Sequence, residues 1–202
     1  MALLLDLFFL FLYPFLAFPL FFAWLLDPLH RREWAERAGF LKNLPRPDKP
    51  HLWIHVSSAG ELITALPFIK QYLALHPSEI LLTIFNRDTL RIAEKESIFQ
   101  RIRFLPIENP LAYRRILSRY RVGKVFFFET EIWPLLLSIL KRKKIPSFLI
   151  NAQIYDRNFA GYLRLRFLLK PLLAAYHFVF TQTESDSRKF SALGIPPSRL
   201  QT

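Results

Sequence analysis

Six apolar runs, each followed by a segment of helical character, constrain this chain more than any other feature. The runs cover residues 52–57, 80–85, 101–105, 122–128, 146–150 and 177–181. The helical patterns cover 60–75, 88–96, 110–119, 132–143, 159–170 and 184–193. A stretch such as Val125-Phe126-Phe127-Phe128 does not alternate in polarity. Such a strand is buried on both faces, as in a parallel sheet covered by helices. Repeated strand–helix units predict an α/β fold with a doubly wound, mostly parallel sheet. The 202 residues are enough for one sizeable domain. With 52% hydrophobic and 22% charged residues, disorder is excluded across most of the chain. There is no Cys, so disulfides, thiol nucleophiles and thiolate metal sites are excluded as well.

Ahead of the alternating body stands an apolar leader. From Leu3 to Leu26 the only charge is Asp6. As a helix this segment is about 36 Å long, enough to cross a hydrocarbon core of about 30 Å. Pro14 and Pro19 are expected to interrupt and kink it. The basic n-region and short apolar core of a cleaved signal are both missing, so residues 1–29 are expected to be a membrane anchor. A spanning helix and a partly inserted, monotopic one both fit. Arg31, Arg32 and Arg37 follow at once, and the positive-inside rule then puts the body on the cytoplasmic side of the membrane. Trp24 and Trp34 suit the interfacial belt. Residues 30–50 form a basic, Pro-rich connector with Pro45, Pro47 and Pro50, and residues 51–202 form the α/β domain.

The net charge is +12, and residues 1–29 contribute only the two acids Asp6 and Asp27, so the remainder carries +14. A basic body behind an apolar leader suits an anionic surface, whether phospholipid headgroup or phosphorylated substrate. The clusters are Arg114-Arg115, Arg119, Arg121; Lys141-Arg142-Lys143-Lys144; and Arg157, Arg164, Arg166, Lys170. No nucleic-acid-binding motif accompanies them, so nucleic acid is not expected as a partner.

Ligands of open α/β sheets bind beyond the carboxyl ends of the strands. Three turns there carry polar side chains. Ser57-Ser58-Ala59-Gly60-Glu61 follows the first run. Glu61 can accept a proton from a substrate hydroxyl, but Ser58-x-x-Glu61 equally fits a helix capping box. A cap tolerates Gln at this position, whereas a general base does not. Glu129-Thr130-Glu131 follows the fourth run and precedes Pro134, which suits a first helical turn. Its acids are either an acid/base pair near Glu61 or dipole-friendly caps. Asn151-Ala152-Gln153, with Asp156, Arg157, Asn158 and Tyr162 behind it, offers groups for a polyhydroxylated ligand or makes an ordinary polar loop. A fourth turn, Thr183 with Asp186, reads as a cap.

Several chemistries lose support. There is no G-x-x-x-x-G-K-[ST] and no G-x-G-x-x-G among only five Gly. His30, His51, His55, His76 and His177 lack metal-ligand spacing, and no G-x-S-x-G elbow is present. No cofactor and no metal are expected.

These segments, in this order, are similar to a known family. Arg32-Glu33-Trp34-Ala35-Glu36-Arg37-Ala38-Gly39-Phe40, His55-Val56-Ser57-Ser58-Ala59-Gly60-Glu61, Glu129-Thr130-Glu131-Ile132-Trp133-Pro134, Ile145-Pro146 with Asn151-Ala152, Gly161-Tyr162, and Gln182-Thr183-Glu184 with Phe190 and Leu193-Gly194 resemble the amino-terminal half of the 3-deoxy-D-manno-octulosonic acid (Kdo) transferases of lipopolysaccharide biosynthesis. The resemblance implies a GT-B glycosyltransferase whose two halves are each Rossmann-like. The amino-terminal half binds the lipid A precursor, lipid IV(A). The absent carboxyl-terminal half binds the donor CMP-Kdo, which makes the chain a truncated acceptor half, inactive by itself. Glu61 would be the general base of an inverting displacement, with Glu129 or Glu131 as a second acidic element. Ser57, Ser58, Gly60, Asn151, Gln153 and Arg157 would bind acceptor. The enzyme would sit on the inner membrane among anionic lipids. Two other functions fit the same residues: a membrane-anchored lipid-binding module without activity, and a GT-B transferase of another lipid-linked sugar. The chain departs from the family at Thr83-Ile84-Phe85-Asn86-Arg87-Asp88-Thr89, where a Thr-rich, Gly-containing turn is usual, at Gln153, where Arg is usual, and at Pro106-Ile107-Glu108-Asn109.

Overall fold

The computed structural model describes residues 2–41 and 49–202, so Pro45 and Pro47 of the expected connector lie outside the described residues. The chain divides into two compact units, Met1–Gly123 and Lys124–Thr202.

In the first unit, helix α1 (Ala2–Leu26) is followed by a 3-10 turn at Pro28–His30 and helix α2 (Arg31–Arg37). Then come β1 (Leu52–Val56), α3 (Ala59–Leu75), β2 (Ile80–Ile84), α4 (Arg87–Ala93), β3 (Arg101–Phe104) and α5 (Pro110–Arg119). The strands pair in parallel in the order β3-β2-β1, with Leu52 opposite Ile80 and Leu81 opposite Arg101. Every residue of β1 and β2 is buried, which is why both runs are continuously apolar. Each following helix begins at a side-chain cap. Ser58 accepts from Glu61 N–H, Asn86 from Thr89 N–H, and Asn109 from Leu111 and Ala112 N–H. These caps satisfy amides that a helix start otherwise leaves unpaired.

Helix α1 corrects one expectation: it runs through Pro14 and Pro19 without ending at either. Each proline forfeits one intrahelical hydrogen bond, but the apolar flanks on both sides favour continuation over exposing further backbone. Helix α2, in the segment read as a connector, holds buried charge. Glu33, Glu36 and Arg37 are all buried. Arg37 Nε donates to Glu33 at 2.9 Å, and Arg87 Nε also binds Glu33. Glu36 accepts from Phe104 N–H at 2.8 Å, Arg103 at 3.2 Å and Arg32 at 3.1 Å. Two of the three arginines counted as topological signals are therefore paired within the fold.

The second unit contains β4 (Lys124–Phe128), α6 (Pro134–Arg142), β5 (Ser147–Ala152), α7 (Asp156–Arg164), α8 (Arg166–Leu173), β6 (Phe178–Thr181), α9 (Glu184–Leu193) and β7 (Leu200–Gln201). All neighbours are parallel, in the order β4-β5-β6-β7. Strand β7 is too short for sequence periodicity to reveal. The expected helix 159–170 is two helices that meet at Leu165. Helix α7 buries no side chain, whereas α8 buries Leu169 and Leu173. Both helices lie against α9, but only α8, beyond the break at Leu165, also packs against α6. Helix α9 ends at Gly194 with φ +106°, where a Cβ would meet Lys170 Cγ at 2.7 Å; only glycine fits there.

Candidate active site

At the carboxyl end of β1 the chain leaves the sheet at Ser57 and enters α3. Ser58 is the N-cap and Glu61 the third helical residue, so the S-x-x-E spacing puts both side chains at one helix end. Ser58 Oγ accepts from Glu61 N–H at 3.1 Å. The Glu61 carboxylate reaches back and accepts from the N–H of Ser57, one residue before the cap, at 2.8 Å through Oε2. Glu61 is buried, yet it stands beside Gly60, which is exposed. Gly60 has helical backbone, and an added Cβ would meet nothing nearer than Ser58 Oγ at 3.9 Å. It is therefore not a turn-forming glycine: Ser57 and Ser58 make the turn.

Behind this turn lies a polar network that sequence reasoning missed. His55 and Thr83 sit in buried strands. Trp53 Nε1 donates to Thr83 Oγ1 at 2.8 Å. His55 Nδ1 lies 3.1 Å from the Thr83 carbonyl and 3.0 Å from its hydroxyl. A carbonyl only accepts, so Nδ1 carries a proton. Nε2 faces Ser57 Oγ at 3.4 Å. Asn86, from the segment that departs from the family pattern, donates to the Ser57 carbonyl at 2.9 Å while capping α4. Its N-x-x-T spacing was the available signal. Ser57 is thus held at its hydroxyl, its carbonyl and its N–H.

The second unit has its own polar turn, beyond β4. Glu129 adopts φ +60°, the left-handed region that non-glycine residues rarely occupy, and its N–H bonds the Ile150 carbonyl at 2.9 Å. Thr130 Oγ1 donates to the Gln153 carbonyl. Glu131 is buried; its carboxylate accepts from Trp133 Nε1 and its carbonyl from Tyr176 OH. Burial, then the Glu131 charge, pushes the Tyr176 phenol well above its usual range. On the neighbouring strand, Asn151 has φ +57° where the β5–β6 register shifts, and Gln182 Nε2 reaches its carbonyl at 3.4 Å. The fold therefore gathers Glu129, Thr130, Glu131, Asn151 and Gln153 at the carboxyl ends of β4 and β5. Arg157 stands on exposed α7, its guanidinium 5.3 Å from the Tyr155 ring centre. Thr183 caps α9 by accepting from Asp186 N–H at 3.1 Å, and the Asp186 carboxylate accepts from Ile154 N–H at 2.9 Å, the structural role expected of that turn. Among the described residues no group of three His, Asp or Glu side chains is placed to hold a metal ion.

Within the second unit, two left-handed non-glycine residues stand at adjacent strand ends, and within the first an oriented carboxylate stands at a helix start. The fold class is Rossmann-like α/β with parallel strands. It is shared with UDP-GlcNAc 2-epimerase from Neisseria meningitidis at TM-score 0.55 and 15% identity, over 76% of this chain and 46% of that one. The enzyme from Rickettsia bellii is similar at TM-score 0.54.

The particular family follows from the sequence. Residues 32–202 match the 3-deoxy-D-manno-octulosonic-acid transferase (kdotransferase) family, and the chain belongs to it. It is 27% identical over 178 residues to 3-deoxy-D-manno-octulosonic acid transferase of Haemophilus influenzae, covering 86% of this chain and 41% of the relative. With the enzyme of Rickettsia prowazekii it shares 31% identity over 71% of this chain and 32% of that one. A bifunctional glycosyltransferase/methyltransferase of Fusobacterium nucleatum is 28% identical over 76% of this chain and 24% of its own length. The chain thus spans between a quarter and two fifths of these relatives.

Proposed function

We propose that this chain provides the acceptor side of a membrane-anchored glycosyltransferase that moves Kdo from CMP-Kdo to a lipid A precursor. In this reading Glu61 is the general base. It takes the proton of a sugar hydroxyl as that oxygen bonds to the Kdo anomeric carbon. The bond from that carbon to the phosphate of CMP breaks, CMP leaves, and the centre inverts. The observation that carries the reading is the Ser57–Glu61 turn. A buried carboxylate at the carboxyl end of a central-type strand is oriented through one oxygen by a backbone N–H, beside an exposed glycine. A base must be positioned before its proton affinity matters, and here the capping geometry does the positioning. The cap and base roles are thus compatible in one residue.

Ser57, Ser58 and Gly60 would contact acceptor in the first unit, and Asn151, Gln153 and Arg157 in the second. Of the two second-unit acids, Glu129 is the better candidate to act on substrate, because its strained backbone calls for a reason that Glu131, tied to Trp133 and Tyr176, does not. The basic surface suits a phosphorylated acceptor in an anionic leaflet. Helix α1 is the described helix long and apolar enough to cross a membrane, over Asp6–Leu26, and the inner membrane with the body on its cytoplasmic side is the location we assign.

The test uses the gene product to its natural stop codon, with CMP-Kdo and tetraacylated lipid A precursor, beside Glu61→Gln. Transfer by the parent and none by a folded Glu61→Gln supports the proposal. Equal transfer by both reduces Glu61 to a cap. Binding of the precursor with no transfer by either leaves a lipid-binding module, and transfer from another sugar nucleotide alone points to a different transferase.

A further inference from the structure

Helix α1 is bound to the rest of its unit along one seam. Asp6, Tyr13, Leu20 and Asp27 recur every seven residues and so share one helix face. Asp6 is buried and pairs with Arg114 of α5 at 2.6 Å. Tyr13 OH donates to the Ala38 carbonyl, and Leu20 is buried. Asp27, just past the helix, accepts from Arg87 at 3.1 Å and Trp34 at 3.3 Å. The opposite face is a stripe at three- and four-residue spacing: Phe8, Phe11, Phe15, Phe18 and Phe22. Its central members Phe11, Phe15 and Phe18 are 76%, 67% and 65% exposed.

A helix that crossed the bilayer would place Asp6 on the side opposite the body, about 30 Å from residues beyond Leu26. The ion pair with Arg114 cannot form across that distance, nor can the Tyr13 bond at mid-helix. We propose that α1 is an in-plane anchor. It lies along the body with its Asp6–Asp27 seam inward and presses the Phe stripe into the acyl region of a single leaflet. Such a helix combines an apolar face with neighbouring cations. Here Arg31, stacked 4.9 Å over Trp24, flanks the carboxyl end of the helix. The occupant is thus the surface of an anionic phospholipid bilayer. The inference deepens the membrane-anchored reading above and rests on it.

Residues 1–202 contain no Cys, so with any cysteine beyond Thr202 replaced by serine a single introduced thiol reports one position. Ala2→Cys and, separately, Ser118→Cys, an exposed position on α5, are placed in the full gene product. Each is exposed to a membrane-impermeant maleimide in spheroplasts and in inside-out vesicles. The proposal expects both thiols to label from the same side, in inside-out vesicles if the body is cytoplasmic. Labelling from opposite sides would overturn it in favour of a spanning helix while leaving the membrane anchor intact. Recovery of the chain in the soluble fraction would overturn both. Neither result depends on sugar transfer, so the enzymatic reading stands or falls separately.

Discussion

The β1–α3 and β4–α6 turns are built to the same plan and held in different ways. Each follows a buried parallel strand, carries acidic residues and leads into a helix. In the first, the acid is inside the helix, the cap is a serine, and the backbone is relaxed. In the second, the acids precede the helix and the N-cap residue is Trp133, with no side-chain cap bond. Glu131 is bound to the Trp133 indole, and Glu129 is forced to φ +60°. One turn spends its carboxylate on local hydrogen bonding and is stable because of it. The other is fixed by surrounding contacts that over-determine a strained residue. The same residue type at the same point of a βα unit can thus be a self-contained device or a dependent one.

Substitutions can break that contrast. The largest effect is expected from Glu61→Gln, with a loss of transfer rate of about 10²–10⁴-fold, the range for general base catalysis. Thermal unfolding should stay near that of the parent, because the amide oxygen still accepts from Ser57 N–H. If Glu129→Gln matches that loss and Glu61→Gln does not, the base belongs to the second turn. Next, Glu131→Ala removes the partner of the Trp133 indole and should cost about 1–3 kcal/mol in urea unfolding. The first turn should be less sensitive: Ser58→Ala loses a cap and should cost about 1 kcal/mol. Glu129→Gly should act in the opposite sense, raising stability by up to about 1 kcal/mol as the left-handed strain is released, while transfer falls. A destabilised Glu129→Gly would mean that its side chain holds the turn together.

The smallest effect at neutral pH belongs to Tyr176. Its phenol is raised in the folded state above the ordinary value of 10.0. The unfolded chain therefore loses this proton first. The contribution to stability is full below about pH 10 and is lost as pH rises from there through the folded value. Tyr176→Phe should flatten that alkaline loss, as followed by denaturant midpoints across pH.

Much of the site was legible because its signals are local. The S-x-x-E spacing gives the Ser58–Glu61 cap, and the position of that cap after an apolar run places Glu61 at a strand end. The Thr183–Asp186 cap was readable for the same reason. What could not be read depends on pairing between distant segments. His55 and Thr83 become a polar network only when β1 and β2 align in register, and Asn86 reaches Ser57 only because two strand ends are neighbours. The strain at Glu129 and Asn151 is likewise set by their strand environment, since no local pattern demands a left-handed Glu.

The alternation of apolar runs and helical segments, the helix caps and the apolar leader were determined by sequence alone, because nearest-neighbour sterics, hydrogen bonding and burial write them into short windows. Only the tertiary structure decided that Arg37 serves a buried ion pair with Glu33 and that Asp6 meets Arg114 across 108 positions. A buried charge must find its counter-charge wherever the chain brings one close, and sequence distance does not record that proximity.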